Sequence, residues 1–240
     1  GSLVLSKDEK ELGVAMVDIG GGSTTVAVFE DGHLTSTFVI PIGGETITKD
    51  LSIVLRTTME EAEKVKLKHG HAYYDDASEE DIFQIPIIGS DQKLSCNQLM
   101  LAEIIEARLS EIFELVMEQL RRQGFRDIPS GFVLTGGVVK MPGVLELAQG
   151  ILQNRVRTAE PNYIGVREPQ YTTAVGLLKY TWQKARQQGI SIGNSVVPTM
   201  PQKQEKKQNR QPEMVPADEK YPKNPNEKGK IKKLLGYFFE

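Results

Sequence analysis

The chain opens with short apolar runs bounded by tight-turn residues. Val14–Ile19 ends at Gly20-Gly21-Gly22, Val26–Phe29 ends at Asp31-Gly32, and Leu34–Ile40 stops at Pro41. Runs of this length between turn signals predict three strands joined as an antiparallel meander. Residues 3–12 are expected to be a connecting segment. After Gly43-Gly44 the pattern changes to helical spacing, with Ile47, Leu51, Val54 and Leu55 on one face. Thr58 followed by Glu61 has the form of a capping box and predicts a second short helix, ended by Gly70. Ile82–Ile88 and Gly89-Ser90-Asp91 predict an edge hairpin, because Pro86 lacks the N–H a central strand needs. The longest predicted helix spans 96–123. Ser95 with Gln98 is expected to cap it, Leu101, Ile105, Leu109, Ile112, Val116 and Leu120 form its buried stripe, and Gly124 ends it. Phe132–Val139 reads as a strand running into a Gly136-Gly137 turn, and Pro142 as the first turn of a helix reaching about Leu152. A further strand is expected near Val156-Arg157. The closing helix runs from Tyr171 to about Gln187, and its Ala174 and Gly176 leave room for close helix packing.

Beyond this point the apolar pattern stops. Residues 188–226 are dominated by Pro, Gln, Lys, Asn and Glu, which predicts a disordered linker with an end-to-end span of roughly 35 Å. The pattern returns in the last stretch, 227–240. Ile231, Leu234, Leu235 and Phe238 follow i, i+3, i+4, i+7, with Phe239 beside them and Lys228, Lys230, Lys232 and Lys233 around them. An apolar face on a basic helix far from the folded body fits an anionic membrane surface, or else a partner groove. Each buried apolar side chain contributes roughly 1.5–3 kcal/mol at best and each Lys near anionic lipid about 1 kcal/mol. One copy therefore binds reversibly, whereas an array of copies binds firmly.

Composition alters this picture in one respect. The net charge of −3 gives no argument for a nucleic-acid partner, but it is unevenly spread. Residues 203–240 carry ten Lys/Arg and six Asp/Glu, a net of +4 against −7 for the rest. The single cysteine, Cys96, gives no disulfide framework and fits a reducing compartment. No apolar run approaches the ~20 residues a membrane-spanning helix needs.

The candidate chemistry starts at the first turn. In Asp18-Ile19-Gly20-Gly21-Gly22-Ser23-Thr24 the glycines let backbone N–H groups approach a polyanion, and the hydroxyls add donors at the rim. Asp18 stands where it can hold Mg²⁺ through water. An ordinary glycine hairpin is the alternative. Glu63 and Lys66, three apart on a helix, make either a solvated surface pair or a nucleoside clamp whose carboxylate takes ribose hydroxyls. Gly136-Gly137 is either a strand-to-helix turn or a flat backbone surface for a purine. His69 and His71 lack partners at ligand spacing and are expected to be surface residues. Arg108, amid Glu103, Glu106 and Glu111, is either a solvated ion-pair residue or a contact for an acidic peptide.

Together these stretches resemble a family. Asp18–Thr24 is similar to the second phosphate motif of the actin/hexokinase/heat-shock-chaperone superfamily, Leu134-Thr135-Gly136-Gly137-Val138 to its adenosine motif, and Thr172–Gly176 to its closing connecting helix. Ala62-Glu63-x-x-Lys66 is similar to the helix that touches ribose and adenine. Pro41–Leu51, Val65–Gly70, Leu101–Arg108 and Tyr171–Leu178, with the basic terminal helix, resemble the FtsA family of bacterial actin-like cell-division proteins.

The resemblance implies an α/β fold, the second lobe of an actin-like, ribonuclease H-like ATPase. Residues 1–43 and 130–187 form its nucleotide-facing subdomain, and 44–129 an inserted α+β subdomain. It implies ATP and Mg²⁺ at Asp18, Gly20, Gly21, Gly22, Ser23, Thr24, Glu63, Lys66, Gly136, Gly137, Val138 and Met141. It implies filament formation, and attachment of the division-ring GTPase FtsZ to the cytoplasmic face of the membrane at the septum. The FtsZ tail peptide would meet the inserted subdomain at Arg108, with Asn97 and Lys93 in the same groove. In that family a first lobe carries the other phosphate loop and the group that positions the hydrolytic water. Little or no ATPase activity is therefore expected of this chain. Another actin-like assembly protein, or a kinase or chaperone ATPase of the same fold, is the alternative.

Overall fold

The computed structural model describes residues 3–189. The predicted linker and predicted terminal helix, with Lys230, Ile231, Lys232, Lys233, Leu234, Leu235, Phe238 and Phe239, lie outside the described residues.

A five-stranded sheet organises the body, in the order β3-β2-β1-β6-β7. Strands β1 (Val14–Ile19), β2 (Thr24–Glu30) and β3 (His33–Ile40) form the antiparallel meander read from the sequence. Strand β6 (Phe132–Thr135) joins β1 in parallel, and β7 (Val156–Thr158) joins β6 in parallel. Central β1 is buried along almost its whole length, and so its sequence reads as a run and not as an alternation. Alternation still divides its side chains. Ala15, Val17 and Ile19 join the main core, whereas Val14 and Met16 join a small second cluster with Leu5, Val133 and Ala159.

Residues 3–12 are more than a connector. They contain helix α1 (Lys7–Leu12), started by a complete capping box in which Ser6 accepts from Glu9 N–H and Glu9 accepts from Ser6 N–H. This Ser-x-x-Glu spacing was present in the sequence, but no apolar periodicity followed to draw attention to it. The helix is held from outside: Arg157 on β7 grips Glu9 through Nε and Nη2, at 2.7 and 2.8 Å.

Between β3 and β6 lie α2 (Gly44–Val54), α3 (Met59–His69), the hairpin of β4 (Ile82–Pro86) and β5 (Lys93–Asn97), and α4 (Gln98–Arg122). The hairpin forms a two-stranded sheet of its own, which accommodates Pro86. Thr58 caps α3 by accepting from Glu61 N–H. The α4 cap is two residues later than expected: Asn97, the last residue of β5, accepts from Met100 N–H at 3.0 Å, while Ser95 lies inside β5. Asn is as good a cap as Ser, and β4 pairs with β5 as far as Asn97, so the helix starts only after it. Leu101, Ile105, Leu109, Ile112, Phe113, Val116 and Leu120 of α4 are buried in the main core.

After β6, helix α5 (Val144–Leu152) begins two residues beyond Pro142. A 3₁₀ turn at Val138–Lys140 and Gly143, at φ 82°, precede it. The closing helix α6 (Thr172–Gln187) departs from expectation in its packing. Only Thr172 and Ala185 are buried on it, and a side chain at Gly176 would meet nothing within 4 Å. Leu177, Leu178, Tyr180 and Trp182 stay exposed, so the small residues do not seat α6 against another helix of the described body.

The two histidines are also not surface residues. His69 stacks on Phe83 with ring centroids 4.0 Å apart and its Nδ1 lies 2.8 Å from Asp81 Oδ2, while His71 Nδ1 lies 2.8 Å from the Tyr73 carbonyl. Both are half-buried and tie the end of α3 to neighbouring segments.

Candidate nucleotide site

The glycine turn after β1 is closed by Gly20 N–H donating to Ser23 O at 3.0 Å. Its outer carbonyls are taken by the start of α2. Gly44 N–H donates to Gly20 O at 2.9 Å and Glu45 N–H to Gly21 O at 2.8 Å. These bonds satisfy two of the N–H groups that any helix leaves unpaired at its start. They also require glycine at position 43, where a Cβ would stand 2.5 Å from Gly21 O and 2.6 Å from Gly20 O. With its carbonyls held, the turn keeps the N–H groups of Gly21 and Gly22 without an acceptor among the described residues.

A cavity of about 720 Å³ opens beside this turn, within the size range of small-molecule sites. Gly20 and Gly21 form one wall, Gly137, Val138, Met141 and Pro142 another, and Thr48, Glu63 and Lys66 a third. The elements that close it are the turn after β1, helices α2 and α3, and the segment that follows β6. Of the expected nucleotide residues, Gly20, Gly21, Glu63, Lys66, Gly137, Val138 and Met141 line it. Asp18, Gly22, Ser23, Thr24 and Gly136 do not. Thr24 is fully buried and its hydroxyl donates to Ile42 O at 2.8 Å, which fastens β2 to the chain entering α2. Gly136, at φ 98°, lies against β1, where a Cβ would stand 2.3 Å from Ile19 O. It keeps β6 close to β1 and so lets Gly137 reach the cavity. Sequence reading missed Thr48, Glu45 and Gln170, which also line the cavity. Glu45 and Thr48 lie three apart on α2 and Gln170 lies in the turn before α6, and no spacing rule links that turn to α2.

Asp18 Oδ2 accepts a 2.6 Å hydrogen bond from Thr173 at the start of α6, which leaves Oδ1 for a metal-bound water. No group of three His, Cys, Asp or Glu side chains among the described residues is arranged to hold a metal ion.

Lys66 and Glu63 are not a solvated pair. Lys66 is only 7% exposed, and its Nζ donates to Glu63 Oε2 at 2.6 Å, Thr48 Oγ1 at 2.7 Å and Gly44 O at 3.0 Å. Glu63 Oε2 is also bonded to the Thr48 hydroxyl. Burial alone would raise the Glu63 pKa, but the bonds from Lys66 and Thr48 outweigh it and hold the carboxyl below its ordinary range.

The residues expected to meet a peptide are spread from the start of β5 to the middle of α4. Arg108 grips Asp50 on α2 through Nε and Nη2, at 2.6 and 3.1 Å, and its Nη1 is bonded to Glu111. It is thus a half-buried bridge between α2 and α4, neither a solvated ion pair nor a free cation. These bonds hold the guanidinium charged more firmly than usual, with Asp50 the largest cause. Asn97 uses its side-chain oxygen as the α4 cap and lies eleven residues away, roughly 16 Å along the helix axis. Lys93 is exposed at the start of β5.

The arrangement is that of an actin-like ATPase fold. The MreB5 structures of Spiroplasma citri bound to ADP and to AMPPNP superimpose with TM-scores of 0.60 and 0.61 at 16% and 19% identity. They cover 77% and 76% of this chain and 58% and 57% of theirs. The model of the family Cell division protein FtsA matches residues 15–176, and the chain belongs to that family. The FtsA of Bacillus subtilis is 54% identical over the whole of this chain, and that of Pseudomonas aeruginosa 42% identical over 80% of it. The chain spans 57% and 47% of these two relatives, about half their length.

Proposed function

We propose that the cavity is one jaw of an ATP clamp, in a filament-forming protein that tethers FtsZ to the cytoplasmic face of the membrane at the division septum. The observation that carries this reading is the meeting of the Gly20-Gly21 turn with the Gly137-Val138 turn around a cavity walled by Glu63. The N–H group of Gly21, without an acceptor among the described residues, suits a phosphate oxygen, since turn N–H groups form anion-binding concavities. Val138 and Met141 offer apolar surface to the base, and Glu63 accepts from the ribose. The MreB5 relatives were solved with ADP and AMPPNP, which agrees with this use of the fold. Mg²⁺ fits only through water at Asp18 Oδ1, carried by the phosphates, whose charge it neutralises when bound. Residues 1–43 and 130–187 serve as the nucleotide-facing part, and 44–129 receives the acidic FtsZ tail near Arg108, Asn97 and Lys93.

An open jaw lacks the water-poor enclosure that strengthens phosphate contacts. The 240-residue chain is therefore expected to bind ATP weakly and to hydrolyse little or none. A chimera that adds the part of the Bacillus subtilis relative not covered by this chain is expected to bind ATP at least tenfold more tightly, about 1.4 kcal/mol. Calorimetric titration of both proteins tests this. Equal affinities, or no binding to the chimera, overturn the reading.

A further inference from the structure

We propose that the outer edge of β3 is a docking surface for a second copy of this chain, whose own β3 adds to the sheet antiparallel across a twofold axis. This does not rest on the nucleotide reading, since no residue of β3 lines the cavity. β3 ends the order β3-β2-β1-β6-β7, and among the described residues the backbone of His33–Ile40 is bonded only to β2. Its outward N–H and C=O groups are therefore a template for another strand. The other strand edges are blunted. β7 is three residues long and carries Arg157, which is tied to Glu9. The hairpin carries Pro86 on β4 and Lys93 on β5. Shortness, charge and proline are the usual devices against edge pairing. β3 has eight residues, with no Lys, Arg, Asp, Glu or Pro among them. Its register against β2 slips once, leaving Thr35 as the extra residue of a bulge, and the ladder is regular from Ser36 to Ile40.

The regular stretch suits a copy of itself. Phe38 and Ile40 turn into the main core, and Ser36 on that side donates to Gln123 after α4. Thr37 and Val39 turn to the opposite face, and both are exposed, Val39 by 62%. Across a twofold axis these positions oppose one another, and β-branched side chains pair well on neighbouring strands. The absence of charge names the occupant. An acidic or basic segment finds no counter-charge on this edge, whereas β3 opposes no like charges when it meets itself. Such a contact is isologous and closes on two copies, so it is distinct from the head-to-tail contact on which a filament runs. Five paired residues bury far less than the roughly 1,200–2,000 Å² of a stable interface. The dimer is therefore transient in dilute solution and gains occupancy where copies are held close together.

The test uses the full 240-residue chain carrying Thr37→Cys and Val39→Cys together. Registers centred on Thr37, Phe38 or Val39 each bring two of these positions opposite one another, with Cα atoms about 4.5–5.5 Å apart, within disulfide reach. Within one chain the two positions lie about 7 Å apart along the strand and cannot join. The native Cys96 is 2% exposed and stays out of the reaction. Thr25→Cys is the control. Thr25 is exposed on β2 beside Val39, and its copy would lie three strand spacings away, roughly 14 Å. Under mild oxidation the double-cysteine variant is expected to give several-fold more disulfide-linked dimer than Thr25→Cys. A second variant, Thr37→Lys with Val39→Lys, sets lysines opposite lysines in each of these registers. It is expected to lose the concentration-dependent association that wild type shows in sedimentation velocity, with thermal unfolding comparable to wild type because both positions are exposed. Equal dimer yields from the double-cysteine variant and the control overturn the proposal, as does a lysine variant that associates like wild type. Either result leaves the nucleotide titrations untouched.

Discussion

Glu63 ionises more readily than a free carboxylic acid because two bonds stabilise its charged form. Its folded pKa lies below its unfolded one, so it adds stability above the ordinary carboxylate range. That stability is lost as pH falls through the folded value. Between about pH 6 and pH 3 the melting temperature of Glu63→Gln is expected to fall less steeply than that of wild type. Parallel slopes in the two proteins would contradict this. Glu9 behaves similarly, held low chiefly by Arg157. At this scale the chain was half legible. The spacing of Glu63 and Lys66 announced a pair, but Thr48 and Gly44 lie on another helix, so neither the burial of the pair nor the use of every ammonium proton was visible.

Helix α2 carries most of the coupling between elements. Its N-terminus holds the glycine turn, Thr48 holds the Glu63–Lys66 pair, and Asp50 holds Arg108 of α4. Gly43→Ala forces the turn or the helix to move, because the new methyl would stand 2.5 Å from Gly21 O. We expect a loss of about 1–3 kcal/mol in denaturant unfolding and weaker ATP binding together. An unchanged midpoint would show that the turn yields freely. Arg108→Ala breaks the α2–α4 bridge and is expected to lower stability by about 1–3 kcal/mol. Asp50→Ala makes the same break but frees the guanidinium, so an acidic FtsZ tail peptide should bind more tightly to Asp50→Ala than to wild type in a fluorescence titration. Equal affinity, with no weakening in Arg108→Glu either, would remove Arg108 from the peptide site. The elements themselves were well marked in the sequence, since each is bounded by its own turn or cap. The misplaced α4 cap came where two local signals competed, and α1 was missed because no apolar periodicity marks it. Ser95 and Asn97 both make good caps, and the helix starts only where pairing of β5 with β4 ends, at Asn97.

The molecule as a whole extends beyond its described body. Leu177 and Leu178 stand 63% and 72% exposed on α6, large apolar side chains with nothing from the described residues over them. Among the described residues no helix is long and apolar enough to cross a membrane. Membrane attachment is instead proposed for 227–240, where the basic amphipathic pattern lies. The full chain is expected to cosediment with vesicles containing anionic phosphatidylserine, and Leu234→Glu to reduce the bound fraction several-fold by removing one apolar anchor and opposing the lysines. Equal pelleting of both would exclude this face as the anchor.

The sequence by itself determined the strands and helices, their order, the glycine turns and the family. These depend on neighbours within a few residues, through turn conformations, caps and periodic apolar faces. Only the tertiary structure decided which candidate residues share a site. Gly20, Glu63 and Gly137 meet around one cavity because β1 and β6 pair in parallel and α2 docks on the turn between β1 and β2. The same packing buried Thr24, whose hydroxyl bonds Ile42 O, and set Lys66 in a bonded pair with Glu63 at the cavity wall. The physical reason is that a hydrogen-bonding group reaches only its immediate neighbours in space. Which partner takes it depends on what the fold brings within about 3 Å, which no local pattern records.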